Sequence, residues 1–211
     1  AEKLLHRLQK NIGPHPAVAF NLGFIASLRG DHAACSSLIM EWADVDAATP
    51  LDPDLQSLWL RCLHQLGQLD LAFAWAQGRL SQASLHSEAL GIASLIALDL
   101  AELVTARDWA EQSLKDNPAL TEALMTRGSI ALGERDSAQA MRDMQKILRL
   151  HPRDGRAWSG LGFAQMLALD LDGARRSLEQ AVSSMPGHLG TWHGLGWTCL
   201  LQKDYPSAQR A

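Results

Sequence analysis

The sequence predicts an all-α protein built from repeated pairs of antiparallel helices. Its composition favours helices, because Leu and Ala dominate the 211 residues whereas Val, Ile and Thr are sparse. A period of 34 residues predicts repeats, because "AWSGLGF" at 157–163 returns as "TWHGLGW" at 191–197. Several residue types keep this period, each at its own phase: Trp158 and Trp192; Gly128, Gly162 and Gly196; Ala72, Ala106, Ala140, Ala174 and Ala208; and Pro118, Pro152 and Pro186.

Two helices are predicted within one unit, 155–188. Apolar residues recur at helical spacing from Asp154 to about Leu169, and a second helix begins at about Asp172. Asp154 and Asp172 are the predicted N-caps of these helices. Pro186 ends the unit because proline cannot continue a helix. Each unit is therefore expected to be a pair of short antiparallel helices.

The repeated Gly-x-Gly could be either a phosphate-binding loop or a packing device. A phosphate loop places its glycines between a strand and a helix, and no strand is predicted before Gly162. The equivalent positions of other units hold Ser94 and Leu60, which such a loop could not accommodate. We therefore expect Gly162 and Ala174 to be small because the two helices of the unit cross there.

These residues resemble the tetratricopeptide repeat family. The family signature is met by Trp158, Leu161, Gly162, Ala174, Leu178, Ala181 and Pro186. The resemblance implies a right-handed superhelical solenoid of antiparallel helix pairs, with 1–211 forming a single array. Residues 1–15 would end a preceding repeat, followed by repeats at 16–52, 53–86, 87–120, 121–154 and 155–188 and an incomplete repeat at 189–211. Neither end has the polar cap typical of terminal repeats, so we expect a segment of a longer array.

The resemblance also implies that the first helices line a concave face, where family members hold an extended peptide or a helix. Two columns of first-helix residues are predicted to be exposed there. The fifth residues of the units are Phe20, Ser57, Gly91, Met125, Ser159 and His193; the residues one turn further are Phe24, Arg61, Leu95, Ser129, Phe163 and Trp197. The candidate partner-binding residues are Phe20, Phe24, Arg61, Leu95, Met125, Phe163, Met166, His193 and Trp197. The alternative for the aromatic members is that they fill the core between repeats.

Some co-chaperones of this family bind a C-terminal carboxylate through Lys, Asn and Arg. The matching positions here hold Phe20, Phe24, Leu58, Glu88 and Ile92. None of these side chains can donate the charge-assisted hydrogen bonds that a carboxylate requires. An apolar helix or extended peptide is therefore the expected partner.

Other functional classes find little support in the sequence. The net charge of −4 argues against a nucleic-acid partner. The apolar run at 89–104 carries Asp99 and Glu102 and is too short for a membrane span. Three cysteines without short spacing, Cys35, Cys62 and Cys199, suggest neither a disulfide framework nor a zinc cluster. The histidines, including His188 and His193, lack metal-binding spacing, and no nucleophile–base pair stands out, so we expect no metal, no cofactor and no enzyme activity.

The sequence thus predicts a scaffold or adaptor for protein–protein interaction, with an apolar concave groove. Two alternatives stay open: a substrate-docking arm of a larger enzyme such as a glycosyltransferase, and a scaffold that self-associates through its uncapped terminal repeats. The opening "AEKLLHRLQK" is already an amphipathic charged helix and not a signal peptide. A cytoplasmic location is therefore expected, with the periplasm as the alternative.

Overall fold

A computed structural model describes residues 2–12, 15–43, 52–82 and 85–210. Within these ranges all of the regular structure is α-helical, and no strand is present. The helices are α1 (Glu2–Ile12), α2 (Pro16–Leu28), α3 (His32–Ala43), α4 (Pro53–Gln65), α5 (Leu69–Gln82), α6 (Ser87–Asp99), α7 (Leu103–Asp116), α8 (Thr121–Gly133), α9 (Ser137–Leu150), α10 (Gly155–Leu167), α11 (Leu171–Ser184), α12 (Leu189–Leu201) and α13 (Tyr205–Arg210). The prediction of an all-α chain of helix pairs is confirmed.

The chain packs as two compact units, 1–123 and 124–211, and the boundary lies within α8. In the first unit, α2 packs against both α3 and α4, and α4 in turn packs against α6. In the second unit, α10 packs against α9 and α11, and α12 packs against α11 and α13. Helix α2 and the even-numbered helices α4 to α12 begin at the first residues of the units predicted from the sequence.

The helix caps agree with the prediction at one position and differ at another. The Asp154 carboxylate accepts hydrogen bonds from the backbone N–H groups of Arg156 and Ala157, which confirms it as the N-cap of α10. The predicted cap Asp172 is wrong, because Asp170 caps α11 by accepting from the Gly173 N–H. Helix α11 therefore begins two residues earlier than the apolar spacing indicated.

The turn inside each helix pair contains one residue with left-handed backbone. These residues are Gly30, Gly67, Ala101, Arg135, Leu169 and Lys203, with φ between 62° and 76°. From Gly67 onward they recur every 34 residues. In the turn after α10, the Asp170 N–H bonds to the Gln165 carbonyl at 2.9 Å, and the Leu169 N–H bonds to the Met166 carbonyl at 3.0 Å. This pairing satisfies carbonyls at the helix end, as in a Schellman motif.

The two glycines of each Gly-x-Gly make different contacts. A Cβ atom on Gly162 would lie 2.6 Å from Leu178 Cγ and 3.3 Å from the Ala174 carbonyl oxygen, both on α11. A Cβ on Gly194 would lie 2.7 Å from Cε1 of Phe163 on α10. The predicted crossing of Gly162 and Ala174 is confirmed. One glycine therefore allows close packing within a helix pair, and the other allows it between successive pairs.

A partly buried ion pair joins α8 and α9 within the second unit. The Asp143 side chain is almost fully buried and accepts two hydrogen bonds from the Arg127 guanidinium, at 2.9 and 2.6 Å. The amide of Gln139 donates a third hydrogen bond to the same carboxylate at 2.9 Å. A buried carboxylate needs such partners because water no longer solvates it.

Cys35 on α3 and Cys62 on α4 form a disulfide between two fully buried side chains. Their Cα atoms are 6.5 Å apart and their separation in sequence is 27 residues. The expectation that the cysteines form no disulfide was therefore wrong. It rested on short spacings along the chain, whereas packing of α3 against α4 brings these two together. The third cysteine, Cys199, is buried and free.

Candidate partner-binding groove

An open groove in the first unit is formed by three successive first helices, α2, α4 and α6. It has a volume of about 280 Å³. Its lining residues are Phe20, Phe24, Ser27 and Leu28 on α2, Asp54, Ser57, Leu58 and Arg61 on α4, and Glu88 on α6. We call this cavity the α2–α4 groove. It brings together three of the predicted binding residues, namely Phe20, Phe24 and Arg61.

The α2 wall of the groove is aromatic and uncharged. Phe20 and Phe24 lie one helical turn apart, and their rings stack with centroids 5.9 Å apart. Phe24 is 46% exposed, and Leu28, one turn further, is more exposed still. No charged residue occurs between Pro16 and Leu28. The proline at the first helical position and the His15 cap begin α2 just before these side chains.

The α4 wall combines an apolar floor with a charged rim. Leu58 is buried at the base of the groove, and Arg61, one turn further, is half exposed. The Arg61 guanidinium donates a hydrogen bond to Oε1 of Glu122 at 3.0 Å. This contact fixes the direction of the arginine side chain and balances its charge.

The two predicted columns differ in exposure. In the column one turn further, Phe24, Arg61 and Trp197 are exposed as expected, whereas Leu95, Ser129 and Phe163 are only partly exposed. The fifth-residue column is largely buried, because Ser57, Gly91, Met125 and Ser159 all belong to the buried class. Met125 is only 7% exposed and cannot present a surface to a partner, so its predicted exposure was wrong. Phe20 is half-buried and His193 is exposed, so only the ends of this column reach solvent.

Comparison with known proteins identifies the fold. No protein-family sequence model matches the chain, and no curated protein sequence matches it. Solved structures do match. A tetratricopeptide repeat protein from Parabacteroides merdae superimposes with a TM-score of 0.64 at 19% identity, covering 92% of this chain and 76% of that one. The chain has the tetratricopeptide-repeat fold.

Two further solved structures match over most of this chain. The APC/C hetero-tetramer Cut9-Hcn1 gives a TM-score of 0.80 at 13% identity, covering 97% of this chain and 40% of that one. YrrB, described as a TPR protein with an unusual peptide-binding site, gives 0.60 at 12% identity, covering 92% of this chain and 98% of its own. At these identities the likeness concerns the fold.

In the second unit of this tetratricopeptide-repeat fold, two of the predicted binding residues are partly buried against the core. Phe163 and Met166 pack against the buried cluster of Leu178, Val182, Leu195 and Cys199. The Phe163 ring also lies against Gly194. For these two residues the structure favours the alternative that they fill core between repeats. Trp197, in contrast, is 51% exposed.

The turn before α13 holds a carboxylate, Asp204, whose pKa is lowered from its usual range. A hydrogen bond from the Ser207 hydroxyl, and then one from the Arg175 guanidinium, lower the pKa of Asp204. The Arg175–Asp204 contact measures 2.8 Å. Asp204, with Glu179, raises the pKa of Arg175 in turn.

Neither a cluster of metal-ligating side chains nor a helix that could span a membrane occurs in the parts of the chain that are described. Among those residues no group of three or more His, Cys, Asp and Glu side chains could hold a metal ion. None of the helices there has both the length and the apolarity needed to cross a membrane.

Sequence reasoning missed three lining residues of the α2–α4 groove, Ser27, Leu28 and Asp54. Leu28 lies eight residues after Phe20, and Asp54 lies four residues before Leu58. Both positions continue the same helical faces by one turn, so extending each face would have found them.

Proposed function

We propose that this chain is a protein-interaction module that holds an apolar segment of another protein in the α2–α4 groove. The observation that carries the proposal is the stacked and partly exposed pair of Phe20 and Phe24, beside Leu58 and Arg61. Single exposed apolar residues are ordinary on protein surfaces, whereas contiguous apolar patches mark partner sites. Aromatic and arginine side chains are also those that most often dominate binding energy.

The groove suits a short segment more than a compact partner. Its walls are single faces of adjacent helices, and residues one turn apart on each wall can contact successive anchors of a bound helix or extended peptide. The fold supports this reading, because YrrB is described with a peptide-binding site and Cut9-Hcn1 is a hetero-tetramer. The peptide selection described next identifies the sequences that bind.

The test is selection of a random peptide library on the purified chain. Recovered peptides are synthesised with a fluorophore, and their dissociation constants are measured by anisotropy for the wild type and for Phe24→Ser. Loss of one aromatic anchor should weaken binding by about 30-fold, since such residues commonly contribute 2 kcal/mol or more.

The matched control is Leu103→Ser on α7. Leu103 is 52% exposed, close to Phe24, but it lies outside the groove. This variant should bind within about twofold of the wild type, since surface changes away from a site have small effects. Circular dichroism checks that both variants keep their helices. If no peptide is recovered, or if peptides bind Phe24→Ser as tightly as the wild type, the proposed function is wrong.

The alternative of self-association predicts a different result. Light scattering at two protein concentrations would then give a mass that rises with concentration. If the groove binds a segment of another protein instead, the mass should stay constant with concentration, and peptide binding should saturate at one site per chain.

A further inference from the structure

We infer that the α2–α4 groove selects partner segments that carry basic residues beside their apolar anchors. The inference rests on the proposed function and adds the charge of the partner. It follows from the ionisable side chains that line the groove, which are Asp54, Glu88 and Arg61.

The two carboxylates of the groove are exposed and face solvent. Asp54 lies in the first turn of α4, and Glu88 lies in the first turn of α6. Within the described part of the chain, neither side chain forms a hydrogen bond or an ion pair. Both are therefore available to a cation that enters the groove.

The cation of the groove is already balanced. Arg61 donates to Glu122 at 3.0 Å, so its positive charge is matched by a carboxylate of the same unit. The α2 wall contributes no charge between Pro16 and Leu28. The lining residues carry two carboxylates and one guanidinium, and Glu122 outside the lining balances the guanidinium, so the site is net negative.

A partner should complement both properties. Apolar anchors would contact Phe20, Phe24 and Leu58, and lysine or arginine on the flanks would approach Asp54 and Glu88. Complementary charges steer encounter and exclude wrong partners. An acidic segment or a free carboxylate terminus would be repelled by Asp54 and Glu88, and the guanidinium it could approach is already paired with Glu122, so it would bind poorly.

The experiment uses the same peptide library and reads the composition of the recovered peptides. Lysine and arginine should be enriched over the input library, and aspartate and glutamate should be depleted. Each lysine of a recovered peptide is then changed to glutamine. On the wild-type chain this change should weaken binding by about fivefold, the size expected for partly exposed ion pairs, and the effect should shrink as salt increases.

The decisive variant is the double substitution Asp54→Asn with Glu88→Gln. On this variant the lysine and glutamine forms of the peptide should bind within about twofold of each other, because the pairing carboxylates are gone. The matched control is Asp108→Asn with Glu111→Gln on α7, two exposed acidic residues outside the groove. This control should keep the fivefold difference.

The outcomes separate the two proposals. If peptides bind in a Phe24-dependent way but show no basic enrichment, or if the double variant keeps the lysine preference, only the charge inference is overturned. If no peptide depends on Phe24, the proposed function fails and the charge inference fails with it.

Discussion

Replacing Leu169 by glycine should stabilise the protein, although it removes a large side chain. Leu169 follows α10 with a φ of 62°, a conformation that crowds the Cβ of any L-residue. Its side chain is 79% exposed, so its removal uncovers little apolar surface. Glycine adopts the left-handed conformation freely, and the two hydrogen bonds of the turn are made by backbone groups that the substitution keeps.

The magnitude follows from two opposing terms. Relief of the left-handed strain contributes about 1–2 kcal/mol. The greater conformational freedom of glycine in the unfolded chain lowers the stability by about 0.4–1 kcal/mol. The expected net gain is about 0.5–1 kcal/mol in the free energy of unfolding, which corresponds to a rise of about 1–4 °C in Tm for a chain of this size.

Two control substitutions separate strain from other effects. Ala168 precedes Leu169 with an ordinary φ of −82°, so Ala168→Gly should destabilise by about 0.5–1 kcal/mol. Gly67 occupies the equivalent turn with a φ of 69°, and a Cβ there would find nothing within 4 Å. Gly67→Ala should therefore cost about 0.5–1 kcal/mol, the balance of the same two terms with the sign reversed.

The assay is urea denaturation followed by circular dichroism, with thermal melts as a second measure. The reasoning would be refuted if Leu169→Gly and Ala168→Gly shift the unfolding free energy in the same direction. It would also be refuted if Gly67→Ala has no effect, because the repeated left-handed position would then carry no strain.

Three other perturbations test contacts that hold helices together. Reducing the Cys35–Cys62 disulfide should lower the unfolding free energy by about 3–4 kcal/mol, the chain-entropy value for a closed loop of 27 residues. Urea denaturation with and without reductant measures this loss. A control variant with both cysteines changed to alanine should not respond to reductant. Arg127→Ala should lower the free energy of unfolding by about 3 kcal/mol, because it leaves the buried carboxylate of Asp143 without its cation. In a double-mutant cycle, the second change Asp143→Ala should recover part of that loss. Purely additive losses would contradict the pairing. The lowered pKa of Asp204 means that its contacts stabilise the fold above a pH of about 4 and that this contribution is lost as the pH falls through the folded-state pKa. The protection factors of the α13 amides against hydrogen exchange should fall in that range in the wild type, and an Asp204→Asn variant that shows the same acid-dependent step would exclude Asp204 as its source.

The candidate groove shows which parts of a site sequence reasoning can reach. Phe20, Phe24 and Arg61 were predicted to share a face, and the structure places all three in one groove. The repeat period and the helical period together fix which helix and which side each of them occupies. Exposure was harder to predict. Met125 was expected in an exposed column and is buried, because burial depends on the helices that pack around a position and not on its place in the repeat.

The sequence by itself determined the helix pairs and where they begin. The helical spacing of apolar residues and the repeat of 34 residues reflect local backbone preferences and contacts between residues that are close in the sequence. Both can therefore be recognised from the sequence alone. The tertiary structure alone decided the Cys35–Cys62 disulfide and the packing of Phe163 against a buried cluster. Those outcomes depend on distances between residues of different helices, and such distances exist only after the helices have packed.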